Sequence, residues 1–253
     1  MRPQTSYLIC ATHRTGSTLL CEALANTGLA GQPAEYFWSG YEPLWSARWG
    51  STTYAEYHAA ALERTTTPNG VFGCKIIFAY FDDFLSKVRQ LHGYADLSTP
   101  VLLSTIFPNL HYIWITRRDK VRQAVSLWKA VQSQIWEQRT EQPTAPVQNP
   151  VFDFEAIDNW LQAILQHEAA WQHYFAEWGV TPFTVVYENF IKAYEATVLD
   201  ILYYLHIPAP DGLVFGKRAL RKQANALSEE WVQRYHHIRE GDVSRANCQG
   251  EEG

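Results

Sequence analysis

The chain has 253 residues, of which 47% are hydrophobic and 19% charged, the composition of an ordinary globular protein with one large core. Its formal net charge of −5 at pH 7 argues against a general nucleic-acid-binding protein, because such proteins normally carry a surplus of Lys and Arg. No apolar run approaches the ~18 residues that a membrane-spanning helix requires, so we expect no stable insertion into a membrane.

The N-terminal segment lacks the charged, apolar and small-residue regions of a secretory signal, which predicts a cytoplasmic protein. The four cysteines fit a reducing compartment, because no Cys-x-x-Cys pair suggests a metal site or a disulfide framework. We therefore expect buried free thiols and no bound metal. The length does not require two domains, so we expect a single domain over residues 1–253 with a disordered tail at 247–253.

Four short apolar segments predict buried strands, and the runs between them have the spacing of helices with one buried face. Because the strand segments are apolar throughout rather than alternating, they predict a parallel sheet covered on both faces. Strands separated by helices indicate crossover connections and an α/β layered domain. The predicted strands are residues 6–12, 71–77, 111–116 and 183–187. The predicted helices lie near residues 16–27, 53–65, 80–92, 119–138, 152–178, 189–206 and 228–238.

The turn between the first strand and the first helix is the strongest functional signal in the sequence. It carries Arg14, Thr15, Gly16, Ser17 and Thr18. Backbone N–H groups and the helix dipole attract anions to a helix N-terminus, and a glycine lets the backbone approach them closely. The hydroxyl groups add donors, and the arginine adds a fixed positive charge. This composition favours an anion site over a turn that merely begins a helix.

The turn is not the phosphate-binding loop of nucleoside triphosphatases, which requires Gly-x-x-x-x-Gly-Lys-Ser/Thr. Here a single glycine is present and no lysine follows it. Because a triphosphate needs a long cradle and a magnesium ligand, this short loop suits a single phosphate or a phosphosulfate better.

A second cationic cluster, Arg117 and Arg118, follows the third strand, and Ser126 lies two turns into the next helix. Taken alone, these residues fit best the solvated start of a surface helix with Asp119 as its N-cap. However, the carboxyl ends of parallel strands meet at one edge of a sheet, where ligands bind. Together with the first turn, the cluster therefore favours a ligand with two anionic groups.

Lys75 is embedded in the second apolar strand, where a lysine is costly unless it is paired. It indicates either an anionic partner or a position at which the strand emerges from the core. Further along, Arg221, Lys222 and Gln223 form a basic loop ahead of the last helix. Such loops are mostly just solvated, although this one could close over a ligand.

The segment 36–49 is dense in aromatic residues, including Tyr36 and Trp38, and has neither a helical nor a strand period. Flat rings suit the apolar faces of sugars, and they suit a dimer interface equally well. The sequence leaves both interpretations open.

Taken together, these segments resemble the Stf0-type sulfotransferase family over nearly the whole chain. The matching segments are residues 11–20 (ATHRTGSTLL), 31–37 (GQPAEYF), 68–75 (PNGVFGCK), 117–128 (RRDKVRQAVSLW), 221–225 (RKQAN) and 228–231 (SEEW). The resemblance implies a three-layer, P-loop-like sulfotransferase fold, with a central, mostly parallel sheet flanked by helices. It also implies a homodimer. The donor would be 3′-phosphoadenosine 5′-phosphosulfate (PAPS), and the acceptor a hydroxyl of a carbohydrate or glycolipid, of which a trehalose-like sugar is one example.

The resemblance also assigns roles to residues of this chain. The 5′-phosphosulfate would be bound by Arg14, Thr15, Gly16, Ser17 and Thr18, the 3′-phosphate by Arg117 and Ser126, and the nucleotide would be covered by Arg221, Lys222 and Gln223. Lys75 is counted as a further donor-binding residue. Arg118 stands where the family pattern has proline, which leaves open which arginine reaches the 3′-phosphate. Glu35 matches the general base, and Tyr36 and Trp38 would contact the acceptor beside it. Arg14 would also stabilise the leaving group.

Alternatives to these assignments stay open at the level of sequence. His13 and His111 are other candidate bases, although His13 lies in the anion loop and His111 begins a strand. Glu35 could instead be a surface carboxylate or the ion-pair partner of Lys75. A small-molecule kinase with a degenerate phosphate loop, or a non-catalytic nucleotide- or sugar-binding protein, would fit many of the same residues. The acceptor loops, expected at residues 36–52 and 132–150, do not identify the acceptor.

Overall fold

The computed structural model describes residues 2–91, 93–137, 150–216, 218–220 and 225–250, and in the last helix the side chains up to residue 241. The strands are β1 (Thr5–Ala11), β2 (Val71–Ile77), β3 (Leu110–Thr116) and β4 (Phe183–Val186). The helices are α1 (Ser17–Ala25), α2 (Glu42–Trp49), α3 (Tyr54–Thr65), α4 (Phe81–Arg89), α5 (Thr99–Ile106), α6 (Lys120–Ser133), α7 (Phe154–Glu177), α8 (Tyr187–Phe190), α9 (Tyr194–Tyr204) and α10 (Ala226–Gly250). A single 3-10 turn, Phe78–Tyr80, joins β2 to α4.

The four strands form one parallel sheet in the order β2-β1-β3-β4, which confirms the predicted α/β architecture. β1 lies between β2 and β3, with Ile9 opposite Lys75 on one side and Cys10 opposite Trp114 on the other. Because all three pairings are parallel, the segments that follow β1, β2 and β3 leave the sheet at the same edge. This edge carries the candidate site.

Continuous burial distinguishes β1 and β2 from the other two strands. Every residue of β2 is buried, and so is every residue of β1 after the first. The two strands approach closely at Gly73, where an added Cβ would lie 2.2 Å from the ring of Tyr7. The hydroxyl of Tyr7 donates a hydrogen bond to the carbonyl of Ala30 at 2.6 Å. A glycine at position 73 is therefore required for the ring of Tyr7 to fit.

The chain divides into two compact units. The first comprises residues 1–118 and 167–218, and contains the sheet. Its core packs aromatic side chains from several elements around β1 and β2, among them Trp171, which is fully buried and donates from its indole N–H to the carbonyl of Ala11 at 3.0 Å. The expectation of a single domain over residues 1–253 stays a prediction.

The second unit comprises residues 119–166 and 219–253. Its core contains Trp231 and Tyr235 of α10 together with apolar residues of α6 and the first half of α7. Asp119 caps α6, as the sequence suggested, by accepting from the backbone N–H of Arg122 at 2.8 Å. Arg122 also bonds Glu229 of α10, which ties the beginnings of the two helices together. Of the described residues, no helix is both long and apolar enough to cross a membrane.

Two helices were not predicted from the sequence. Helix α2 has no buried residue, so it lacks the apolar stripe that reveals an amphipathic helix. Helix α5 has only eight residues, which is too short for a clear period. The pattern predicted as one helix over 189–206 is divided into α8 and α9. The three free cysteines that the structure describes, Cys10, Cys21 and Cys74, are buried as expected.

Candidate active site

The loop between β1 and α1 has the backbone conformation of an anion-binding turn. Arg14 has a φ of 63° and Gly16 a φ of 89°, so two left-handed residues fold the chain sharply. The hydroxyl of Thr15 donates to the carbonyl of Thr12 at 3.1 Å and stabilises the turn from within. Gly16 is the N-cap of α1 and has no side chain with which to cap it, so the first-turn N–H groups can serve a ligand.

Gly16 lies against the ring of Tyr187, the first residue of α8. An added Cβ at this position would lie 2.4 Å from Cδ2 of that ring. The guanidinium of Arg117 lies over the same ring, 5.0 Å from its centroid. Tyr187 therefore joins the loop after β1 to the arginine after β3. The sequence analysis missed it, although its place directly after β4 is the signal that could have found it.

The structure brings Arg117, rather than Arg118, to the loop. Arg117 is 9% exposed, and its Nη1 donates to the carbonyl of Arg14 at 3.5 Å. Its Nε lies 3.8 Å from a carboxylate oxygen of Glu188. The side chain of Arg118 is exposed, and its backbone N–H donates to Glu188 at 3.1 Å. Glu188 was also missed in the sequence.

The two arginines influence each other. Burial, and after it the charge of Arg117, lowers the pKa of Arg14 to about 10, while Tyr187 acts in the opposite direction. The charge of each arginine disfavours that of the other, Glu188 offsets part of the charge of Arg117, and a bound anion would stabilise both guanidinium groups.

Lys75 and Glu35 form an ion pair beside this region. Nζ of Lys75 lies 2.7 Å from Oε2 of Glu35 and donates to the hydroxyl of Thr18, on α1, at 3.4 Å. Lys75 is 8% exposed. Burial is the largest single influence on the pKa of Lys75 and would lower it, but the charge and hydrogen bond of Glu35, together with smaller contributions from Cys21 and Tyr41, outweigh burial, and the pKa is raised. The lysine therefore has the anionic partner that its position in β2 suggested, and it links that partner to the anion loop.

His13 lies next to Arg14 and pairs with Tyr80, at the end of the 3-10 turn after β2. Its Nε2 and the hydroxyl of Tyr80 are 3.0 Å apart. Burial, followed by the charges of His167, Lys75 and Arg14, lowers the pKa of His13 to about 4. His111, by contrast, is the second residue of β3, at the opposite end of the strand from Arg117. It donates from Nδ1 to the carbonyl of Asn109 at 2.9 Å.

Of the two aromatic residues expected at the acceptor, only Trp38 lies at the surface of this region. Its ring stacks on that of Tyr80 with centroids 5.2 Å apart. Tyr36 is 3% exposed, packs against Trp45, and donates its hydroxyl to the carbonyl of Gln32. Tyr36 therefore belongs to the core and supports the segment that carries Glu35.

The other residues expected at the donor site are Ser126 and the basic loop of Arg221, Lys222 and Gln223. Ser126 lies on α6, which belongs to the second unit, whereas Arg117 belongs to the first. Arg221, Lys222 and Gln223 lie outside the described residues. Their roles stay predictions. Within the described ranges, no group of three or more His, Cys, Asp or Glu side chains could hold a metal ion.

Comparison with known proteins identifies the relatives of this chain. The family model described as Stf0 sulphotransferase matches residues 6–238. Trehalose 2-sulfotransferase of Mycobacterium tuberculosis strain Erdman is 29% identical over 257 residues, which cover 90% of this chain and 93% of the relative. Trehalose 2-sulfotransferase of Mycolicibacterium smegmatis is 30% identical over 271 residues, which cover 94% and 97% respectively.

Among solved structures, the sulfotransferase domain from the curacin biosynthetic pathway is similar to this chain, with a TM-score of 0.45 and 14% sequence identity. The alignment covers 90% of this chain and 83% of that domain.

Proposed function

Because the chain belongs to the Stf0 sulphotransferase family and is therefore a sulfotransferase, we propose that it moves the sulfuryl group of PAPS to a hydroxyl of a carbohydrate or glycolipid. Trehalose, attacking through its 2-hydroxyl, is the first acceptor to test, because both relatives above are named trehalose 2-sulfotransferase. The observation that carries the proposal is the placing of a paired carboxylate, Glu35, next to a loop with two converging arginines.

The donor's 5′-phosphosulfate would bind at the N-terminus of α1. There Gly16 provides no side-chain cap, so the N–H groups of Ser17 and Thr18 would donate to the anion, and Arg14 would add its positive charge. Arg117 would take the 3′-phosphate, as a guanidinium binds phosphate through two parallel hydrogen bonds. Its contact with the carbonyl of Arg14 holds it beside the loop.

The reaction is an in-line displacement at sulfur, and the protein's contribution is positioning and charge stabilisation. The acceptor oxygen forms a bond to sulfur while the bond from sulfur to the 5′-phosphate oxygen breaks. The products are a sulfate ester and adenosine 3′,5′-bisphosphate, and the hydroxyl proton passes to Glu35. Arg14 and the loop N–H groups stabilise the negative charge that grows on the leaving phosphate.

Lys75 connects the two halves of this reaction. It contacts Glu35 at 2.7 Å and Thr18 at 3.4 Å, so it spans the base and the donor loop. As Glu35 gains a proton its attraction for Lys75 falls, and the ammonium group can turn toward the sulfuryl oxygens. Lys75 would therefore also bind the donor. Homodimer formation and the cytoplasmic location stay predictions.

The test is transfer of radiolabelled sulfate from PAPS to trehalose and to a panel of other sugars. A parallel assay with ATP as the donor tests the alternative that the protein is a kinase. Glu35→Gln preserves the shape of the side chain but cannot accept the proton. We expect it to lower kcat by about 10²- to 10⁴-fold, the usual contribution of a general base, with little change in affinity for adenosine 3′,5′-bisphosphate.

The matched control is Asp158→Asn, which removes another ion-paired carboxylate, bonded to Arg239 at 2.9 Å in the second unit. We expect this variant to keep normal turnover. Absence of sulfate transfer to every sugar tested would contradict the proposed function. Near-normal turnover in Glu35→Gln would remove Glu35 from the mechanism.

A further inference from the structure

The pair formed by His13 and Tyr80 connects two strand ends at the site and has no role in the mechanism above. His13 follows β1 and Tyr80 follows β2, and Nε2 lies 3.0 Å from the phenolic oxygen. The two rings meet edge to face, with centroids 5.4 Å apart. Tyr80 is only partly buried, so its hydroxyl is within reach of a small molecule.

The pair is neutral although cations surround it. His13 faces Arg14, Lys75 and His167, and burial together with these charges lowers its pKa to about 4. Burial first, and then the charge of Glu35, raises the pKa of Tyr80. At neutral pH both groups are therefore uncharged. A neutral imidazole and a neutral phenol can bind hydroxyl groups through hydrogen bonds, whereas the anionic phosphosulfate binds more strongly to the arginines.

The hydroxyl of Tyr80 can form a further hydrogen bond to a ligand, whether it donates to Nε2 of His13 or accepts from it. If Tyr80 donates to Nε2, the phenolic oxygen can accept a bond from another hydroxyl. If Nε2 donates to the phenol, the phenolic proton is available to a further acceptor. In either tautomer Tyr80 can bond one hydroxyl of a ligand.

The surroundings of Tyr80 place that bond next to Glu35. Trp38, three residues beyond Glu35, stacks on Tyr80 with centroids 5.2 Å apart. The same Trp38 ring is packed edge to face by Tyr41 at 4.5 Å and approached by the backbone of Gly40, where an added Cβ would lie 2.6 Å away. Trp38 thus acts as a support that fixes Tyr80 relative to the segment carrying the base.

We propose that the His13–Tyr80 pair binds the acceptor hydroxyl adjacent to the one that is sulfated, so that the enzyme selects sugars with a vicinal diol. The inference rests on the proposed function, in which Glu35 accepts the proton of the attacking hydroxyl. For attack by the 2-hydroxyl of trehalose, the hydroxyl that meets Tyr80 is the 3-hydroxyl.

The experiment compares trehalose with its 3,3′-dideoxy analogue, in both wild-type protein and Tyr80→Phe. Phenylalanine retains the ring that stacks on Trp38 and removes only the hydroxyl. Binding is measured by calorimetry with adenosine 3′,5′-bisphosphate present, and kcat/KM is measured in parallel. We expect Tyr80→Phe to weaken trehalose binding about tenfold, equivalent to one hydrogen bond of about 1.4 kcal/mol. The dideoxy analogue should bind both proteins equally.

His13→Gln is the second variant, because an amide can replace Nε2 as the partner of Tyr80. We expect His13→Gln to retain more of the preference for trehalose over the dideoxy analogue than Tyr80→Phe does. Tyr203→Phe is the control, since Tyr203 is 85% exposed on α9 and lies outside the pair. It should leave both affinities unchanged.

The outcomes separate this inference from the proposed function. Equal weakening of both sugars by Tyr80→Phe, no weakening of either, or no binding of trehalose to the wild-type protein would overturn the inference. Weaker binding of adenosine 3′,5′-bisphosphate itself to Tyr80→Phe would place the pair on the donor side and overturn it as well. If Tyr80→Phe weakens binding of trehalose but not of the dideoxy analogue, and no sulfate is transferred, the result would support the role of the His13–Tyr80 pair in sugar binding while contradicting the proposed function.

Discussion

Removing the charge of Lys75 should destabilise the empty protein more than removing a comparable lysine elsewhere. The side chains of Lys75 and Glu35 are only 10% and 14% exposed and lie 2.7 Å apart. Lys75→Met leaves the carboxylate buried without its cation. Breaking a buried ion pair by removing one partner costs about 3–5 kcal/mol, most of it the desolvation of the charge that remains.

Lys87→Met is the matched control in the same unit. Lys87 pairs with Glu42 at 2.9 Å and with Asp83 at 3.2 Å, but its side chain is 25% exposed and that of Asp83 is 47% exposed. Water screens this cluster, so we expect Lys87→Met to cost only about 1 kcal/mol. The difference between the two variants isolates the effect of burial.

The double variant Lys75→Met/Glu35→Gln tests the cause directly. With both charges removed, no unpaired ion stays buried, and replacing a whole buried pair by neutral groups is often nearly neutral. We therefore expect the double variant to be more stable than Lys75→Met alone, with a coupling energy of about 2–3 kcal/mol.

Urea unfolding at pH 7 gives the free energies of unfolding, and thermal melts give a second measurement, with about 2–4 °C expected per kcal/mol for a chain of this size. Because the pKa of Lys75 is raised on folding, the contribution of the pair is complete below its ordinary pKa of 10.5 and is lost as pH rises further. Equal losses in Lys75→Met and Lys87→Met, or a double variant no more stable than Lys75→Met, would refute the reasoning.

Three further predictions concern the anion loop and its neighbours. Arg117→Ala should weaken binding of adenosine 3′,5′-bisphosphate about 10- to 100-fold and of 5′-AMP much less, by calorimetry; equal losses would show that this arginine does not bind the 3′-phosphate. Gly16→Ala should cost more stability in urea than Gly28→Ala, because both glycines have positive φ but only at Gly16 would the new Cβ strike the Tyr187 ring, at 2.4 Å; equal costs would argue against that contact. Burial lowers the pKa of His13 to about 4, so as pH falls below about 6.5 the unfolded chain binds this proton before the folded chain does, and the free energy of unfolding should drop by up to about 1.4 kcal/mol per pH unit. His13→Gln should lessen that drop between pH 7 and 5. An unchanged drop would contradict the lowered pKa of His13.

The sheet could be predicted because its signal is local and redundant. Each strand is a short, continuously apolar run that ends in polar or glycine-containing residues, and all four were located to within about two residues, the usual precision for element boundaries. Their parallel arrangement followed from the absence of alternation together with the intervening helices. Helix α2 was missed because it contributes no buried residue to a core, so no periodicity marks it.

The site could be predicted only where its residues adjoin one another in sequence. The loop from Arg14 to Thr18 is one continuous segment, so its chemistry is visible without a structure. Tyr80 and Tyr187 become site residues only because the folded sheet brings the segments after β2 and β4 into contact with the loop after β1. Strand order is set by packing of the whole sheet, and no short window of sequence contains it.

Keeping Arg14 charged in its buried position beside Arg117 is unfavourable for the empty fold, and this is a physical reason to regard the loop as a binding site. Lowering the pKa of Arg14 from 12.5 to about 10 corresponds to a free-energy cost on the order of 3 kcal/mol for keeping it charged. A ligand at a hundred times its dissociation constant returns about 2.7 kcal/mol to the folded state. A dianionic donor bound at the loop would therefore offset much of the cost of burying the charge of Arg14 beside Arg117.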